Sequence, residues 1–350
     1  MLNISFLGDI SLNDDYIELY KKGINPFENV ESLLSSSDFV VGNLECMAKG
    51  GKGENELKQP RLTTTVETLN YIKNINLKIA CLAQNHVYDH LEEGFIKTTK
   101  FLSDNDIKYF GASLAKDKIE LPIILEKNNV RIGLLNYVTH DTNPNLPPNA
   151  AVFVNYFELN KAISDIQSIK SNVDHVVLIL HWGGRVEGGL YPDWDQPGIA
   201  HQLIDAGADL IIGHHTHTVQ PFEIYNGKYI FYSLGNFCFA DYNFEGKFHP
   251  MPRRRNISTV ISVFFEKNNY KIDFDFFINQ KTSFLKINYL PALEFRNTLF
   301  KMLFKSIYLW RIYFFYMRKI LPFIIFIKRE DLTVSKKASR IFNSLKKRLK

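Results

Sequence analysis

Cysteine is scarce in this sequence, and the few cysteines present form no recognisable framework. The 350 residues include three, Cys46, Cys81 and Cys238, and no two of them stand in a Cys-x-x-Cys pair. An odd, scattered set of thiols excludes a disulfide framework and gives no support to a zinc ribbon. We therefore expect all three to be buried side chains without a chemical role.

The sequence pattern predicts neither a secretory leader nor a phosphate-binding loop. The first residues, MLNISFLGD, have neither the basic start nor the long apolar stretch of a leader. In the polar, glycine-rich stretch over 48–59, Lys52 is followed by Gly53, whereas a P-loop requires Ser or Thr there. We expect a cytoplasmic protein in which residues 48–59 form a mobile loop.

Acidic residues are nearly absent from the end of the chain. Residues 299–350 carry fourteen Lys and Arg against two acids, whereas the whole chain has a net charge of +5. Over 299–328, charged residues interrupt an apolar, aromatic run, so that no window of about 20 residues is free of charge. This pattern argues against a membrane-spanning helix and indicates an amphipathic helix that lies on an anionic membrane surface.

The final residues, KKASRIFNSLKKRLK (336–350), add a cationic helix suited to anionic lipid. The protein is therefore expected as a peripheral protein at the inner face of the membrane. In the alternative, the tail packs its aromatic side chains against the preceding domain or a partner subunit. Nucleic acid is not expected as a partner, because no recognised binding module accompanies the charge.

The rest of the chain alternates short apolar runs with helical patterns. Strands are predicted over 3–7, 39–41, 78–82, 131–137, 175–180 and 209–212, and helices over 27–34, 65–73, 91–102, 158–170 and 198–205. Two hairpins are predicted, 222–225 with 229–232 and 259–265 with 271–277. The alternation predicts an α/β fold in which helices flank a mixed sheet.

Side chains suited to metal binding gather where these apolar runs end. The set comprises Asp9, Asn43, Glu45, Asn85, His86, His181, His215 and His217. In open α/β sheets, ligands bind beyond the carboxyl ends of strands. Imidazole nitrogens, carboxylates and amide oxygens are suitable ligands for Zn, Mn, Fe or Ni. Five strand ends with such side chains therefore predict one metal centre.

Six short segments around these residues carry a family resemblance. They are FLGD (6–9), GNLE (42–45), AQNHVYDH (83–90), LHWGG (180–184), GHHTHTVQP (213–221) and YSLGNF (232–237). In this order they resemble the bacterial capsule-synthesis CapA family, also called the poly-γ-glutamate capsule family, of the calcineurin-like metallophosphoesterase fold group. The resemblance covers about residues 3–240 and implies a layered α/β/β/α sandwich, which we expect over 1–285. The basic, aromatic pattern predicts a helical tail over 286–350.

Carried over position by position, the resemblance implies roles for individual residues. It implies the metal ligands Asp9, Glu45, Asn85, His181, His215 and His217, with His214 as a neighbour. It also implies that His86 donates a proton to the leaving group, that Asp89 orients His86, and that the substrate contacts Arg61, Trp182, Asp193 and Gln196. The pattern departs from the fold group at two positions. Ser11 replaces the histidine of Asp-x-His, and Asn43 replaces a bridging aspartate, so that Glu45 would supply the missing carboxylate.

The resemblance also implies a chemistry. One or two divalent ions, Mn, Zn or Fe, would support hydrolysis or transfer at a phosphoester in capsule or other surface-polymer biosynthesis. The expected substrate is a phosphorylated or lipid-linked polymer precursor. In the alternative, the protein is a non-catalytic, metal-stabilised component of the polymer synthesis or export machinery. Ser11 and Asn43 favour that alternative, whereas His86, which is not needed as a ligand, favours catalysis.

Overall fold

Two β-sheets packed face to face form the centre of this protein. The structure is a computed structural model that describes residues 1–327, except residues 144 and 245. Helices cover the outer face of each sheet, and further helices follow the last strand of the first sheet in the chain. The strand ends of the two sheets position the candidate site.

The first sheet contains the N-terminal strand at its middle. Its strands are β1 (Leu2–Ile10), β2 (Phe39–Leu44), β5 (Leu77–Cys81), β6 (Lys108–Phe110), β15 (Asn236–Cys238), β18 (Ile257–Phe265), β19 (Tyr270–Asn279) and β20 (Phe284–Ile287). Their order is β20-β19-β18-β1-β2-β5-β6, and the short β15 pairs with the end of β1. The half from β1 to β6 is parallel, whereas β18, β19 and β20 pair in antiparallel fashion.

The second sheet is parallel in its centre and antiparallel at both edges. Its strands are β8 (Ile123–Lys127), β9 (Val130–Val138), β11 (His175–His181), β12 (Leu210–His214), β13 (Phe222–Tyr225) and β14 (Lys228–Phe231), in the order β13-β14-β12-β11-β9-β8. Three short ribbons complete the strands: β3 (Met47–Ala48) with β4 (Thr63–Thr64), β7 (Ala112–Ser113) with β10 (Phe153–Val154), and β16 (Tyr242–Phe244) with β17 (Lys247–His249).

Alternating side chains of each central strand pack in two different hydrophobic cores. In β1, Ile4 and Phe6 lie in the core between the sheets, where they join Val177 and Ile179 of β11. Leu7, on the opposite face of β1, belongs to the core beneath the outer helices. Because both faces of each sheet are covered, the central strands are apolar on both sides and read as continuous hydrophobic runs.

Four helices cover the first sheet and two cover the second. The first group is α1 (Asp15–Lys21), α2 (Glu28–Ser35), α3 (Tyr71–Asn74) and α4 (Leu91–Asp104), and the second is α5 (Leu159–Lys170) and α6 (Gln196–Asp205). Side chains of the first group, such as Tyr16 and Phe95, fill the outer core of the first sheet. On the second sheet, a Cβ built on Gly133 would lie 2.8 Å from Ile169 of α5, so this helix packs closely on β9. The predicted α/β/β/α sandwich is therefore confirmed.

The predicted elements differ from the observed ones mainly in their ends. Strands β1, β2 and β12 extend beyond the predicted ends, so that Asp9 and Asn43 lie within strands. The helix predicted over 65–73 is shorter, because a 3₁₀ turn over Thr68–Asn70 precedes α3. Helix α1 was not predicted, since seven residues that bury only Tyr16 and Leu19 give little periodic signal. The prediction for the three cysteines is correct: all are free and buried.

The chain divides into two compact units, and the first comprises Met1–Thr298. The boundary predicted between residues 285 and 286 falls inside β20, which continues the first sheet by pairing with β19. Because edge strands of this length give only a weak sequence signal, the pattern alone did not place β20 in the sandwich. The helix α7 (Leu290–Leu303) begins in this first unit.

The second unit begins at Leu299 and contains two further helices among the described residues. These are α8 (Ile307–Phe315), which starts at Ser306, and α9 (Leu321–Ile327), with a π-helical stretch over Tyr316–Ile320 between them. Large apolar side chains are exposed here, among them Tyr308 at 71% and Ile312 at 67%. None of the helices described has the length and apolar character that crossing a bilayer requires. The cationic helix predicted over 336–350 lies outside the described residues.

Candidate metal centre

The predicted ligands meet where strand ends of the two sheets converge. Asp9 of β1 pairs with Asn43 of β2, and His181 at the end of β11 pairs with His214 of β12. All four side chains are buried. The sheet-on-sheet packing thus brings together residues that are up to two hundred positions apart in the chain, as the sequence pattern predicted.

Five of the side chains that face each other here fall into two groups of three that share one member. Glu45, His181 and His215 form one group and Asp9, Glu45 and His217 the other, and in each the ligand atoms lie within 4.8 Å of one another. Glu45 Oε1 is 3.8 Å from His181 Nε2 and 3.7 Å from His217 Nε2. Glu45 is therefore the carboxylate that both groups share.

Asn43 contacts the same groups as a hydrogen-bond donor. Its Nδ2 donates to Asp9 Oδ1 at 2.8 Å and lies 3.2 Å from His181 Nδ1. Asn43 therefore holds one member of each group in place without adding a negative charge. Ser11, the other departure from the fold group, is buried and donates to Asn13 Oδ1 at 2.7 Å.

The two histidines after β12 adopt an unusual backbone conformation. His215 has φ 91° and His217 has φ 59°, in the left-handed region that non-glycine residues seldom occupy. Such strain persists only where the surroundings enforce it, and it clusters at functional sites. Here the His215 amide donates to Asp9 Oδ2 at 3.3 Å. His214, the expected neighbour, places Nδ1 3.1 Å from Asp9 Oδ1.

A hydrogen bond from the YSLGNF segment orients His217. Asn236 Oδ1 lies 2.8 Å from His217 Nδ1, and Asn236 Nδ2 donates to the carbonyl of Arg255 at 3.1 Å. The backbone of this segment touches β1: the Asp9 amide donates to Gly235 O at 2.9 Å, and a Cβ on Gly8 would lie 2.1 Å from that oxygen. The segment carried the family resemblance, but sequence reasoning assigned no role to Asn236.

Burial and neighbouring charges shift the pKa values of the two carboxylates of the centre in opposite directions. Burial would raise the pKa of Asp9, but hydrogen bonds from His214 and His217 hold it well below its usual value. For Glu45, burial and then the charge of Asp9 raise the pKa well above its usual value. Burial also lowers the pKa of His181, so its imidazole is neutral and available as a ligand.

His86 and Asp89 form a hydrogen-bonded pair at the edge of the centre. His86 Nδ1 lies 2.6 Å from Asp89 Oδ2, and His86 Nε2 lies 3.9 Å from Glu45 Oε1. Asp89 Oδ2 also accepts from the Leu62 amide at 2.7 Å. Burial, followed by the charge of Lys58, lowers the pKa of His86, and burial raises the pKa of Asp89 to about 7. The imidazole thus departs from the near-neutral pKa expected for an isolated histidine.

Asn85 connects the centre to a lysine that sequence reasoning missed. The Asn85 amide is oriented so that both its nitrogen and its oxygen form hydrogen bonds. Asn85 Nδ2 donates to Glu45 Oε1 at 2.9 Å and to His181 Nε2 at 3.0 Å, and Asn85 Oδ1 accepts from Lys58 Nζ at 2.9 Å. Lys58 is 6% exposed, although it belongs to the stretch predicted as a mobile loop. A single lysine in a polar stretch carries no sequence signal that would have singled it out.

Glu187 is a second residue that the sequence did not single out. It follows the LHWGG segment, its side chain is 52% exposed, and it accepts from Arg255 Nη1 at 3.0 Å. Partial desolvation opposes its ionisation, but the charges of His217 and Arg255 lower the pKa of Glu187. Glu187 is therefore an ionised carboxylate that interacts with the histidines of the centre.

The four predicted substrate-binding residues take different positions. Arg61 donates to Glu54 Oε2 at 2.8 Å and to the carbonyls of Asn55 and Lys58. Trp182 is buried, donates through Nε1 to Tyr232 O at 3.0 Å and stacks on that ring. This indole packs in the interior, between β11 and the segment after β14, and its contact with the substrate stays a prediction.

Asp193 and Gln196 stabilise the insert after β11. The Asp193 amide donates to Gln196 Oε1 at 2.6 Å, and Asp193 Oδ2 accepts from the Arg185 amide at 3.1 Å. Both side chains are buried. Substrate contacts of Arg61, Asp193 and Gln196 stay predictions.

The residues present fit a divalent cation. Glu45 Oε2 and Asn43 Oδ1 are buried and have no hydrogen-bond partner among the described residues. Buried oxygens are normally satisfied, so such atoms beside clustered imidazoles indicate that something else binds there. Carboxylate oxygen and imidazole nitrogen are donors that Mn, Zn and Fe accept. Glu45, His181 and His215 would hold one ion, and Asp9, Glu45 and His217 a second. The Asn85 nitrogen faces the first group and its oxygen faces Lys58, and the ligand role of Asn85 stays a prediction.

Comparisons with known proteins agree with the order of the segments. The profile of the family described as bacterial capsule synthesis protein PGA_cap matches residues 3–241. The PGA biosynthesis protein CapA of Bacillus subtilis is 32% identical over 253 residues, which cover 68% of this chain and 63% of that protein. The capsule biosynthesis protein CapA of Bacillus anthracis is 31% identical over 253 residues, which cover 68% of this chain and 60% of that protein. The chain thus spans less than two thirds of the length of either relative.

Among solved structures, the NAD nucleotidase of Haemophilus influenzae aligns with a TM-score of 0.46 at 14% identity, over 87% of this chain and 56% of that one. The 5'-nucleotidase precursor of Thermus thermophilus aligns with a TM-score of 0.42 at 12% identity, over 94% and 60%. The family profile covers the second sheet, the strands of the first sheet from β1 to β15, and every residue of the two ligand groups. On the strength of that match and of the Bacillus relatives, this chain belongs to the bacterial capsule synthesis protein family PGA_cap.

Proposed function

We propose that this protein is a metal-dependent hydrolase or transferase that acts on a phosphoester during the synthesis of a capsule or related surface polymer. The observation that carries the proposal is the sharing of Glu45 between two buried ligand groups. Two divalent ions held by these groups would supply an activated water and bind the oxygens of a phosphoryl group. The membership in a capsule synthesis family, and the names of the Bacillus relatives, support the polymer context.

The side chains around the centre are suited to that chemistry. Asp9 and Asn43 hold each other at 2.8 Å, which fixes the position of the Asp9 ligand oxygen. His86 is held by Asp89 through Nδ1, so that Nε2 points towards Glu45 and is the nitrogen that can exchange a proton with a substrate. A phosphorylated or lipid-linked polymer precursor is the substrate class that fits the family and the anion-binding chemistry.

We also propose that the tail attaches the protein to an anionic membrane surface. Cationic Arg311, Arg318 and Lys319 interrupt a helical region whose large apolar side chains are exposed, as Ile312 and Phe315 show. An amphipathic helix with interleaved cations gains from both burial of apolar area and attraction to anionic lipid. A membrane-bound position would suit a lipid-linked substrate.

Turnover by the purified full chain tests the catalytic proposal. After metal removal and reloading with Mn²⁺, Zn²⁺ or Fe²⁺, we expect hydrolysis of p-nitrophenyl phosphate or bis-p-nitrophenyl phosphate that a chelator abolishes. Metal bound at full stoichiometry without turnover of either ester, or of lipid-linked phosphate precursors, would contradict catalysis. That result would favour the alternative of a non-catalytic, metal-stabilised component of the polymer synthesis machinery.

A further inference from the structure

Lys58 is a buried cation beside the candidate metal centre, and the site as described so far gives it no role. Its side chain is 6% exposed, and its Nζ contacts the Asn85 amide oxygen at 2.9 Å. Removing an ammonium group from water costs several kcal/mol unless partners compensate. Lys58 therefore needs partners that offset this cost.

The loop around Lys58 is built to hold it in place. Arg61 Nη1 donates to the Lys58 carbonyl at 3.1 Å, and the Lys58 amide donates to the Asn55 carbonyl at 3.2 Å. The Asn55 amide in turn donates to the Asp89 carbonyl at 2.9 Å. Arg61 itself is paired with Glu54 at 2.8 Å. The backbone thus fixes Lys58 against the segment that carries Asn85 and Asp89.

The contacts of the Lys58 amine are incomplete. An ammonium group has three N–H donors, and in the described part of the chain Asn85 is the acceptor that takes one of them. Glu45, Asp89 and Glu187 are near enough to influence its charge, but none of these carboxylates forms an ion pair with it. A fixed cation with donors to spare, beside a metal centre, is a site for an incoming anion.

We propose that Lys58 binds the anionic phosphoryl group of the substrate with the N–H donors that Asn85 leaves free. The inference rests on the proposed function and names the group that its substrate presents to the protein. The neighbouring Glu45, Asp89 and Glu187 would repel an anion, and Lys58 offsets that repulsion on the Asn85 side of the centre. In this view Arg61 positions Lys58 and does not itself meet the substrate.

Inorganic phosphate is the probe that tests this role without turnover. Calorimetry measures its affinity for the full chain loaded with Mn²⁺, with metal per chain counted for every variant. Lys58→Met, of similar length but neutral, should keep the metal and bind phosphate about 10- to 100-fold more weakly, since charge-assisted hydrogen bonds are lost. Lys58→Arg, which keeps the charge, should recover most of the affinity. The matched control is Lys52→Met, at an exposed lysine of the same loop, which should bind as the unchanged protein does.

Two results would overturn the proposal. One is wild-type phosphate affinity in Lys58→Met. The other is loss of metal or of thermal stability in Lys58→Met and Lys58→Arg alike, which would make Lys58 a structural counter-charge. Failure of the proposed function looks different: the unchanged protein would bind metal and phosphate, lose phosphate on Lys58→Met, and still turn over no phosphoester.

Discussion

Asn43 Nδ2 donates a hydrogen bond to Asp9 Oδ1 across 2.8 Å at the adjoining ends of β1 and β2. The amide thus makes a favourable contact at a position where a second carboxylate would face Asp9 directly. In a buried site, two carboxylates at that distance cannot both be ionised unless a cation lies between them. Without metal, the Asn43–Asp9 contact therefore destabilises the folded protein less than a pair of aspartates at these positions would.

Replacing this amide by a carboxylate should make folding depend on metal. For Asn43→Asp, we expect a lower Tm than the unchanged protein in chelator and a larger increase in Tm on adding Mn²⁺, because the cation relieves the new repulsion. Differential scanning calorimetry with and without metal measures both. Asn13→Asp, at another buried asparagine of the same region, serves as a control for burying a charge. An Asn43→Asp variant that gains no more from metal than the unchanged protein would exclude Asn43 from the centre.

The shared position of Glu45 predicts a pattern of metal loss. His215→Ala should lose the ion of the first group and His217→Ala that of the second, whereas Glu45→Gln should weaken both. Metal per chain, measured by mass spectrometry after dialysis, gives the counts. His201→Ala is the control, because His201 pairs with Glu223 away from the centre. Full metal content in both histidine variants would rule out these ligand assignments.

The contact between His86 and Asp89 predicts a selective loss of rate. His86→Ala should retain its metal and lose about 10²- to 10⁴-fold in kcat on an ester with a poor leaving group, because proton donation is removed. The loss should be much smaller on p-nitrophenyl phosphate, whose leaving group needs no proton. Asp89→Asn should show the same selectivity to a lesser degree. Equal losses on both esters would assign His86 a structural role.

The tail predicts binding to anionic vesicles. The full chain should sediment with phosphatidylglycerol vesicles, less so at high salt, and not with phosphatidylcholine vesicles. Neutralising Arg311, Arg318 and Lys319 to Gln should weaken binding, with each cation contributing about 1 kcal/mol. Neutralising three exposed residues of the sandwich, Lys22, Lys78 and Lys271, provides a charge-matched control. Equal binding by both triple variants would contradict a membrane role of the tail.

Asp209 predicts a pH-dependent stability that is separate from the metal centre. Its carboxylate accepts from Lys228 Nζ at 2.6 Å, from Lys170 and from the Val176 amide at 2.9 Å. Burial opposes ionisation, but His175 and the two lysines lower the pKa of Asp209. Its stabilisation is therefore complete above the unfolded pKa of about 3.9 and is lost as the pH falls towards the lower folded pKa.

Asp209→Asn should accordingly reduce the free energy of unfolding by about 1.5–3 kcal/mol at pH 7. The difference from the unchanged protein should shrink below about pH 4, because the carboxylate of the unfolded chain then takes up a proton while the native carboxylate, with its lower pKa, stays ionised. Urea denaturation at pH 7 and pH 3 measures both values. Asp205→Asn, at an exposed aspartate of α6, should change stability by less than about 0.5 kcal/mol. A constant difference across this range would contradict the lowered pKa.

The pattern of the amino-acid sequence by itself predicted an α/β fold and placed the candidate ligands at strand ends, whereas the layered sandwich and the ligand roles followed from the family resemblance. Alternating apolar runs predicted β1, β9, β11 and β12, because a strand buried on both faces must be apolar throughout. Polar residues directly after such runs had to lie at the sheet edge where ligands bind, since parallel strands end together. This local logic was sufficient for Asp9, Glu45, His181 and both histidines after β12.

Only the tertiary structure decided which of these residues meet and which further ones join them. Contacts between segments far apart in the chain made Glu45 the shared member, turned Trp182 into the interior and set Asn236 against His217. Lys58 belongs to a polar stretch without periodicity, so its burial depends on hydrogen bonds from Arg61 and Asn55 that no local pattern encodes. Local sequence specifies strand ends, but long-range packing determines the distances and burial on which the chemistry depends.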